Sequence, residues 1–126
     1  MRLIEADPYS RRVIGCAIEV HRTLGPGLIE SVYEACLCHE LTQAGMAFVR
    51  QQRLPVIYKG LAVDCDLKMD IVVEQTLVLE IKSVHALHPV HEAQLPTYLK
   101  VSGLRAGLLL NFNAVRLIDG VRRRLL

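Results

Sequence analysis

The sequence predicts an α/β (α+β) domain in which helices flank a mixed β-sheet, with elements in the order ααβββαβββ. Three observations carry that expectation. Before Gly45, apolar residues recur at helical spacing in two stretches split by Gly25-Pro26-Gly27. From Met46 the apolar period changes to two. A third helical stretch then precedes a last group of apolar strands.

Ser10 is the expected N-cap of a helix from Arg11 to about Thr23. Val13, Ala17, Val20 and Leu24 fall on one apolar stripe of it. Gly25-Pro26-Gly27 stops the helix, because Pro cannot continue it and Gly accepts left-handed φ. A second helix is expected over about Leu28 to Ala44. Ile29, Val32, Tyr33, Cys36, Leu37 and Leu41 mark its face, Glu40 interrupts it and Gly45 ends it. Phe48 to Gln52 and Leu54 to Tyr58 read as one long edge strand, interrupted at Pro55, which cannot donate to a ladder. Lys59-Gly60 is a turn. Leu61 to Val73 reads as the next strand. Val63, Cys65, Leu67, Met69, Ile71 and Val73 face a core, and charge falls between them at Asp64, Asp66, Lys68 and Asp70. Leu77 to Val84 reads as a strand buried on both faces apart from Glu80 and Lys82. Pro89 suits the first turn of a third helix, which runs to about Val101 and closes at Gly103. Pro96 removes one hydrogen bond from it, so a kink or bulge is expected near Glu92. Ala106 to Phe112 and Ala114 to Ile118 read as two strands around Asn113. Asp119-Gly120 reads as a hairpin turn into Val121 to Leu126. No repeat or linker divides the chain, so one domain over residues 1–126 is expected.

Hydrophobic residues make up 52% and charged residues 22% of the chain, which sets it among folded globular proteins and excludes disorder. No apolar run reaches the roughly 18 residues of a membrane span, so no membrane partner is expected. Met1-Arg2-Leu3-Ile4-Glu5-Ala6-Asp7-Pro8 lacks the apolar core of a signal peptide, and a cytoplasmic protein is expected. The formal net charge of +2 gives no general argument for nucleic acid. Arg11-Arg12, Arg50 with Arg53, and Arg122-Arg123-Arg124 are local clusters that suit either phosphate contact or a solvated face. Cys16, Cys36, Cys38 and Cys65 form no C-x-x-C pair and read as reduced thiols, mostly buried. Cys36-x-Cys38-His39 as a zinc half-site is the lesser reading, because a helix points the two thiols to different sides. His85, His88 and His91 recur every three residues, but Pro89 places the first two before the helix, which weakens a three-histidine metal site. No glycine-rich phosphate loop and no local nucleophile motif is present.

The stretch from Asp70 to Lys82 carries charge where buried strands should carry none. With a three-residue turn, Glu74-Gln75-Thr76, Val73 faces Leu77 and Asp70 falls opposite Glu80. Their Cβ atoms would then lie about 5 Å apart. Lys82 shares that face, while Met69, Ile71, Val73, Leu77, Leu79 and Ile81 form an apolar face behind it. A two-residue turn would scatter the charges, so the three-residue register is preferred. Two carboxylates side by side repel unless a positive group joins them. Mg²⁺ (or Mn²⁺), a hard cation with oxygen ligands, does this. Lys82 could then orient or deprotonate a water near a scissile phosphate, or hold developing charge. An acid–lysine ion pair at the sheet rim explains the same residues without catalysis, and from the residues alone both readings stand.

Asp70 followed by Glu80-Ile81-Lys82 resembles the D…(D/E)-x-K signature of the PD-(D/E)XK nuclease superfamily. Gly27-Leu28-Ile29-Glu30-Ser31-Val32-Tyr33 matches the G-x-x-E-x-x-Y pattern of a small bacterial family within it. Ile18 to Pro26, Leu54 to Gly60, His91 to Leu95, Thr97 to Lys100, and Asn111-Phe112-Asn113 also resemble that family, so the likeness spans about residues 12 to 122. The resemblance implies a restriction-endonuclease-like core. It implies Asp70 and Glu80 as metal ligands, joined by Glu30 from the preceding helix, and Lys82 as the catalytic lysine. Glu30 also has a simpler reading, since a carboxylate in the first turn of a helix is favoured by the dipole. Gln94 and Tyr98 resemble the Q-x-x-x-Y element of some superfamily nucleases and share a helix face. Pro96 between them departs from the pattern. Gln94 is thereby expected in the catalytic set, and Tyr33, His91 and Tyr98 at the substrate. The implied function is Mg²⁺-dependent hydrolysis of phosphodiester bonds in DNA or RNA. The alternative is a binding or interaction module that retains the nuclease fold without activity. A homodimer through an exposed sheet edge or helix face is the expected assembly.

Overall fold

The structure, a computed structural model, describes residues 7–126; most of the N-terminal stretch read for a signal peptide lies outside them. Among the described residues, three helices flank a mixed five-stranded sheet. Helices α1 (Ser10–Leu24) and α2 (Glu30–Gln43) come first. They are followed by strands β1 (Phe48–Arg53), β2 (Val56–Tyr58), β3 (Leu61–Val63), β4 (Lys68–Val73) and β5 (Leu77–Lys82). Helix α3 (Pro89–Ser102), strand β6 (Ala106–Asn111), a 3₁₀ turn (Leu117–Gly120) and strand β7 (Val121–Leu125) complete the chain. The sheet order is β1-β4-β5-β6-β7. Among the described strands only β5 and β6 pair in parallel, and α3 supplies the crossover that a parallel pair needs.

Each face of the sheet is covered. Val13, Ala17 and Val20 of α1 and Tyr33, Leu37 and Leu41 of α2 pack on Ile71, Val73, Leu79, Ile81, Leu108 and Leu110. On the other face Leu95 and Leu99 of α3 pack on Met69, Val72, Val78 and Leu109. β6 is buried along its whole length for this reason, which is why it carries no charge.

The local differences from expectation have physical causes. Ser10 is not the cap of α1; Asp7 Oδ1 accepts from the Tyr9 and Ser10 N–H groups at 2.9 and 3.2 Å and satisfies the helix start. α2 begins at Glu30 rather than Leu28, because the segment before it is held by Tyr33: its hydroxyl donates to Gly25 O at 2.6 Å and accepts from Leu28 N at 3.1 Å. That anchor turns the helix, so Ile29 is 69% exposed and the buried face is Tyr33, Glu34, Leu37, Cys38 and Leu41. The expected strand from Leu61 to Val73 is two strands. Its first part pairs only with β2, in a separate hairpin whose residues Ile57, Tyr58, Leu61 and Val63 are exposed. Met69 does not share a face with Ile71. The alternation breaks at Asp70, opposite Gln51, whose backbone is left-handed (φ 51°).

Ala114 to Ile118 is not a strand, and Asp119-Gly120 is not a hairpin turn. The chain leaves β6 through a turn and the 3₁₀ segment before pairing back as β7, with Leu110 opposite Val121. Two side chains hold that turn: His21 Nε2 lies 2.8 Å from Ala114 O, and Asn111 Oδ1 accepts from Asn113 N at 3.2 Å. β5 ends at Lys82, not Val84, because Asn111 takes both Val84 backbone groups at 3.1 Å. α3 continues across Pro96 to Ser102.

Candidate active site

The β4–β5 hairpin turns at Glu74 and Gln75, both left-handed, and Thr76 N donates to Val73 O at 2.9 Å. Val73 faces Leu77, Val72 faces Val78 and Ile71 faces Leu79. The three-residue register is therefore present, and one step further Asp70 stands beside Glu80. The regular ladder ends at Ile71–Leu79. Beyond it the Ile81 N–H donates to the Asp70 carboxylate (Oδ2) at 2.8 Å. A side chain thus takes a ladder position at the point where the two acids meet.

Glu80 is a buried carboxylate, not an exposed charge on the strand: it is 3% exposed and its Oε1 has no hydrogen-bond partner. Burial, and after it the neighbouring Asp70, push its pKa up to about 8 against weaker opposition from Lys82 and from the Asp70 backbone N–H. Asp70 is half-buried and also raised, first by burial; the Ile81 N–H bond opposes this, and Glu34 adds repulsion. Two adjacent acids that both resist ionisation, one with an unpartnered oxygen, form a hard-oxygen donor set short of positive charge. Asp70 and Glu80 therefore fit a divalent cation such as Mg²⁺ or Mn²⁺.

Lys82, half-buried, lines a groove of about 470 Å³ along α3 together with Val90, His91, Ala93, Gln94, Thr97 and Tyr98. Gln94 Nε2 donates to Tyr98 Oη at 2.9 Å, so these two residues meet one turn apart despite Pro96. His91 is tied to the helix start: its Nδ1 accepts from His88 N at 3.1 Å. His88 and His91 thus cap α3, and among the described residues no three His, Cys, Asp or Glu side chains are grouped as a metal cage. This holds for the expected Glu30, Asp70 and Glu80 set as for the three-histidine and Cys36-x-Cys38-His39 alternatives. The four cysteines are free thiols, with Cys38 buried and its pKa pushed up to about 11 by desolvation.

Glu30 and Tyr33 sit differently from the other expected residues. Glu30 is exposed, and its Oε2 is 3.4 Å from Ser83 N, one residue past Lys82. The Ser83 hydroxyl also donates to Leu28 O, so the segment before α2 is docked on the end of β5. Tyr33 is fully buried, its ring stacked on Phe112 at 4.6 Å and 10°. That burial rules out direct substrate contact by Tyr33; it acts as a clamp on the Gly25–Leu28 segment.

One carboxylate absent from the expected set lies next to the pair. Glu34, 7% exposed, is held by Arg50 at 2.9 Å and by Gln51 Nε2 at 3.0 Å. Glu34 was legible in principle, because with Leu37, Cys38 and Leu41 it falls on the core stripe of α2, where a charge is out of place. Gln51 carried no such signal.

Fold and acid pair together define a nuclease-type α+β domain. A family model of the PD-(D/E)XK nuclease superfamily matches residues 7–124, and the chain belongs to that superfamily. Comparison with curated proteins gives no significant match, and neither does comparison with solved structures. No helix among the described residues is long and apolar enough to cross a membrane.

Proposed function

We propose that this chain is a divalent-metal-dependent phosphodiesterase acting on DNA or RNA in the cytoplasm. The observation that carries the reading is the adjacent Asp70–Glu80 pair, with an unpartnered oxygen on the buried Glu80 and Lys82 lining the α3 groove. Asp70 and Glu80 would hold Mg²⁺ or Mn²⁺, with Glu30 as the further ligand the family resemblance suggests. Bound by these residues, such an ion would supply charge neutralisation for the acids and Lewis-acid polarisation of a phosphate oxygen. Lys82 contributes a proton relay or a fixed positive charge for the developing phosphate charge. Gln94 is assigned to orient the reacting phosphate, and His91 and Tyr98 to line the path of the nucleic acid. The G-x-x-E-x-x-Y pattern supports placement in the small bacterial family that bears that name. A homodimer through the free edge of β1 or β7 belongs to the same reading, and light scattering reads it.

The test is a cleavage assay on single- and double-stranded DNA and RNA with Mg²⁺ or Mn²⁺. Wild-type protein should cut and Glu80→Ala should not. Equal activity of the variant would sink the site. A second reading, a binding module that retains the nuclease fold, is favoured by one observation: Glu30 contacts Ser83 rather than standing with the acid pair. Calorimetry with Mn²⁺ separates the two, since intact ligands give binding that Asp70→Asn abolishes.

A further inference from the structure

Asp70 is held from two sides. β5 holds Oδ2 through the Ile81 N–H, and on the other side Gln51 of the edge strand reaches Oδ1 at 3.5 Å. The same amide nitrogen contacts both Glu34 oxygens, at 3.0 and 3.3 Å, and Glu34 is fixed in turn by the Arg50 guanidinium at 2.9 and 3.1 Å. Gln51 therefore stands between a buried, paired carboxylate and a carboxylate of the proposed site.

The backbone at Gln51 is unusual for its position. It sits in β1 directly opposite Asp70, between the pairs Arg50–Ile71 and Gln52–Met69, yet it is left-handed at φ 51°. Gln has no local preference for that conformation, and non-glycine residues held there concentrate at functional sites. Regular extended backbone would send alternate side chains to opposite faces of the sheet. The left-handed residue is what brings both Arg50 and Gln51 to Glu34, and Gln51 onward to Asp70.

We propose that Gln51 is a positioning residue, which uses the Glu34–Arg50 pair as its anchor to fix the Asp70 carboxylate beside Glu80 for the divalent ion. The proposal rests on the metal-site reading above. An outer partner that orients a ligating carboxylate changes metal affinity without touching the ion, commonly by tenfold or more.

Gln51→Gly keeps the left-handed backbone available and removes the whole side chain, its amide included. Gln51→Asn keeps an amide and tolerates left-handed φ, but is one methylene too short to span both acids. Mn²⁺ calorimetry at fixed pH and melting of the metal-free proteins are measured on wild type and both variants. We expect about tenfold weaker Mn²⁺ binding in both, with a melting temperature of Gln51→Gly equal to or above wild type. Wild-type affinity in Gln51→Gly overturns the proposal, as does an affinity loss that only tracks lost stability. Absence of Mn²⁺ binding by wild type itself overturns the metal-site reading, and this inference with it.

Discussion

Metal-free protein should lose stability as pH rises from about 4.5 towards 8, and Glu80 should be the cause. Its pKa in the fold is about 8, against an ordinary value of 4.5 in the unfolded chain. Between those values the folded state holds a proton that the unfolded state has released. Stability therefore falls with pH: the contribution is fully present below 4.5 and gone once pH passes the folded value. The slope reaches about 1.4 kcal/mol per pH unit, and the whole window has a ceiling of about 5 kcal/mol. Water entry and rearrangement on ionisation lower this, and we expect a loss of about 2–3 kcal/mol. Asp70, also raised by burial, acts in the same direction at the acid end. The assay is urea unfolding over this pH range in the presence of a chelator, on wild type and Glu80→Gln. The variant is neutral throughout, so its curve should be flatter while histidines and other groups contribute equally to both. Parallel curves for the two proteins would refute the argument. Mg²⁺ or Mn²⁺ should reverse the slope in wild type, because the ion competes with the proton for the same oxygens.

Two further substitutions test the scaffold around the acids. Tyr33→Phe removes the bonds to Gly25 O and Leu28 N but keeps the stack on Phe112. It should cost about 1–2 kcal/mol in thermal unfolding and speed amide exchange over residues 25–30; unchanged exchange there would dismiss Tyr33 as the clamp. Gly120→Ala would drive a Cβ into the Asn111 carbonyl oxygen, close to Ala114 as well. Backbone resists such a shift, so a loss of about 1–3 kcal/mol is expected, and a wild-type melting curve would show that the turn after β6 is not tightly closed.

Much of the fold was legible because period and punctuation agreed. The α1 stripe, the stop at Gly25-Pro26-Gly27 and the three-residue register of the hairpin all follow from local pattern, and the register alone puts Asp70 beside Glu80. What was illegible depended on contacts distant in sequence. Ala114 to Ile118 is apolar enough to read as a strand, but His21 bonds the Ala114 carbonyl and the Ala114 N–H turns back to the Asn111 carbonyl. Leu61 to Val73 alternates throughout, yet only its second half finds a partner in the main sheet. The face of α2 was misjudged because Tyr33 bonds back to the preceding loop and sets the helix rotation, which alternation of apolar residues does not encode.

The site follows the same division. Asp70, Glu80 and Lys82 lie within thirteen residues, and strand geometry relates them directly. Glu34 and Gln51 reach the same place from α2 and β1, and Gln51 does so only through a left-handed residue that no local pattern marks. Glu30, Tyr33, Asn111 and Phe112 form a third group, which anchors the end of β5. Asn111 bonds both backbone groups of Val84, Ser83 receives Glu30 and donates to Leu28 O, and the Lys82 carbonyl accepts from Phe112 N at 2.9 Å. Phe112 in turn stacks on Tyr33, which holds Gly25 and Leu28. These contacts converge within two residues of Lys82. Ionisation of the adjacent acids would give β4 and β5 reason to separate beyond Ile71–Leu79, where the Ile81 N–H to the Asp70 carboxylate and the Asp70 N–H to the Glu80 carboxylate bridge the strands. Fixing the C-terminal end of β5 from α2 and β6 opposes that separation. On this view Tyr33 and Asn111 serve mechanically: they keep Glu80 and Lys82 in place when the charge between the acids is unbalanced.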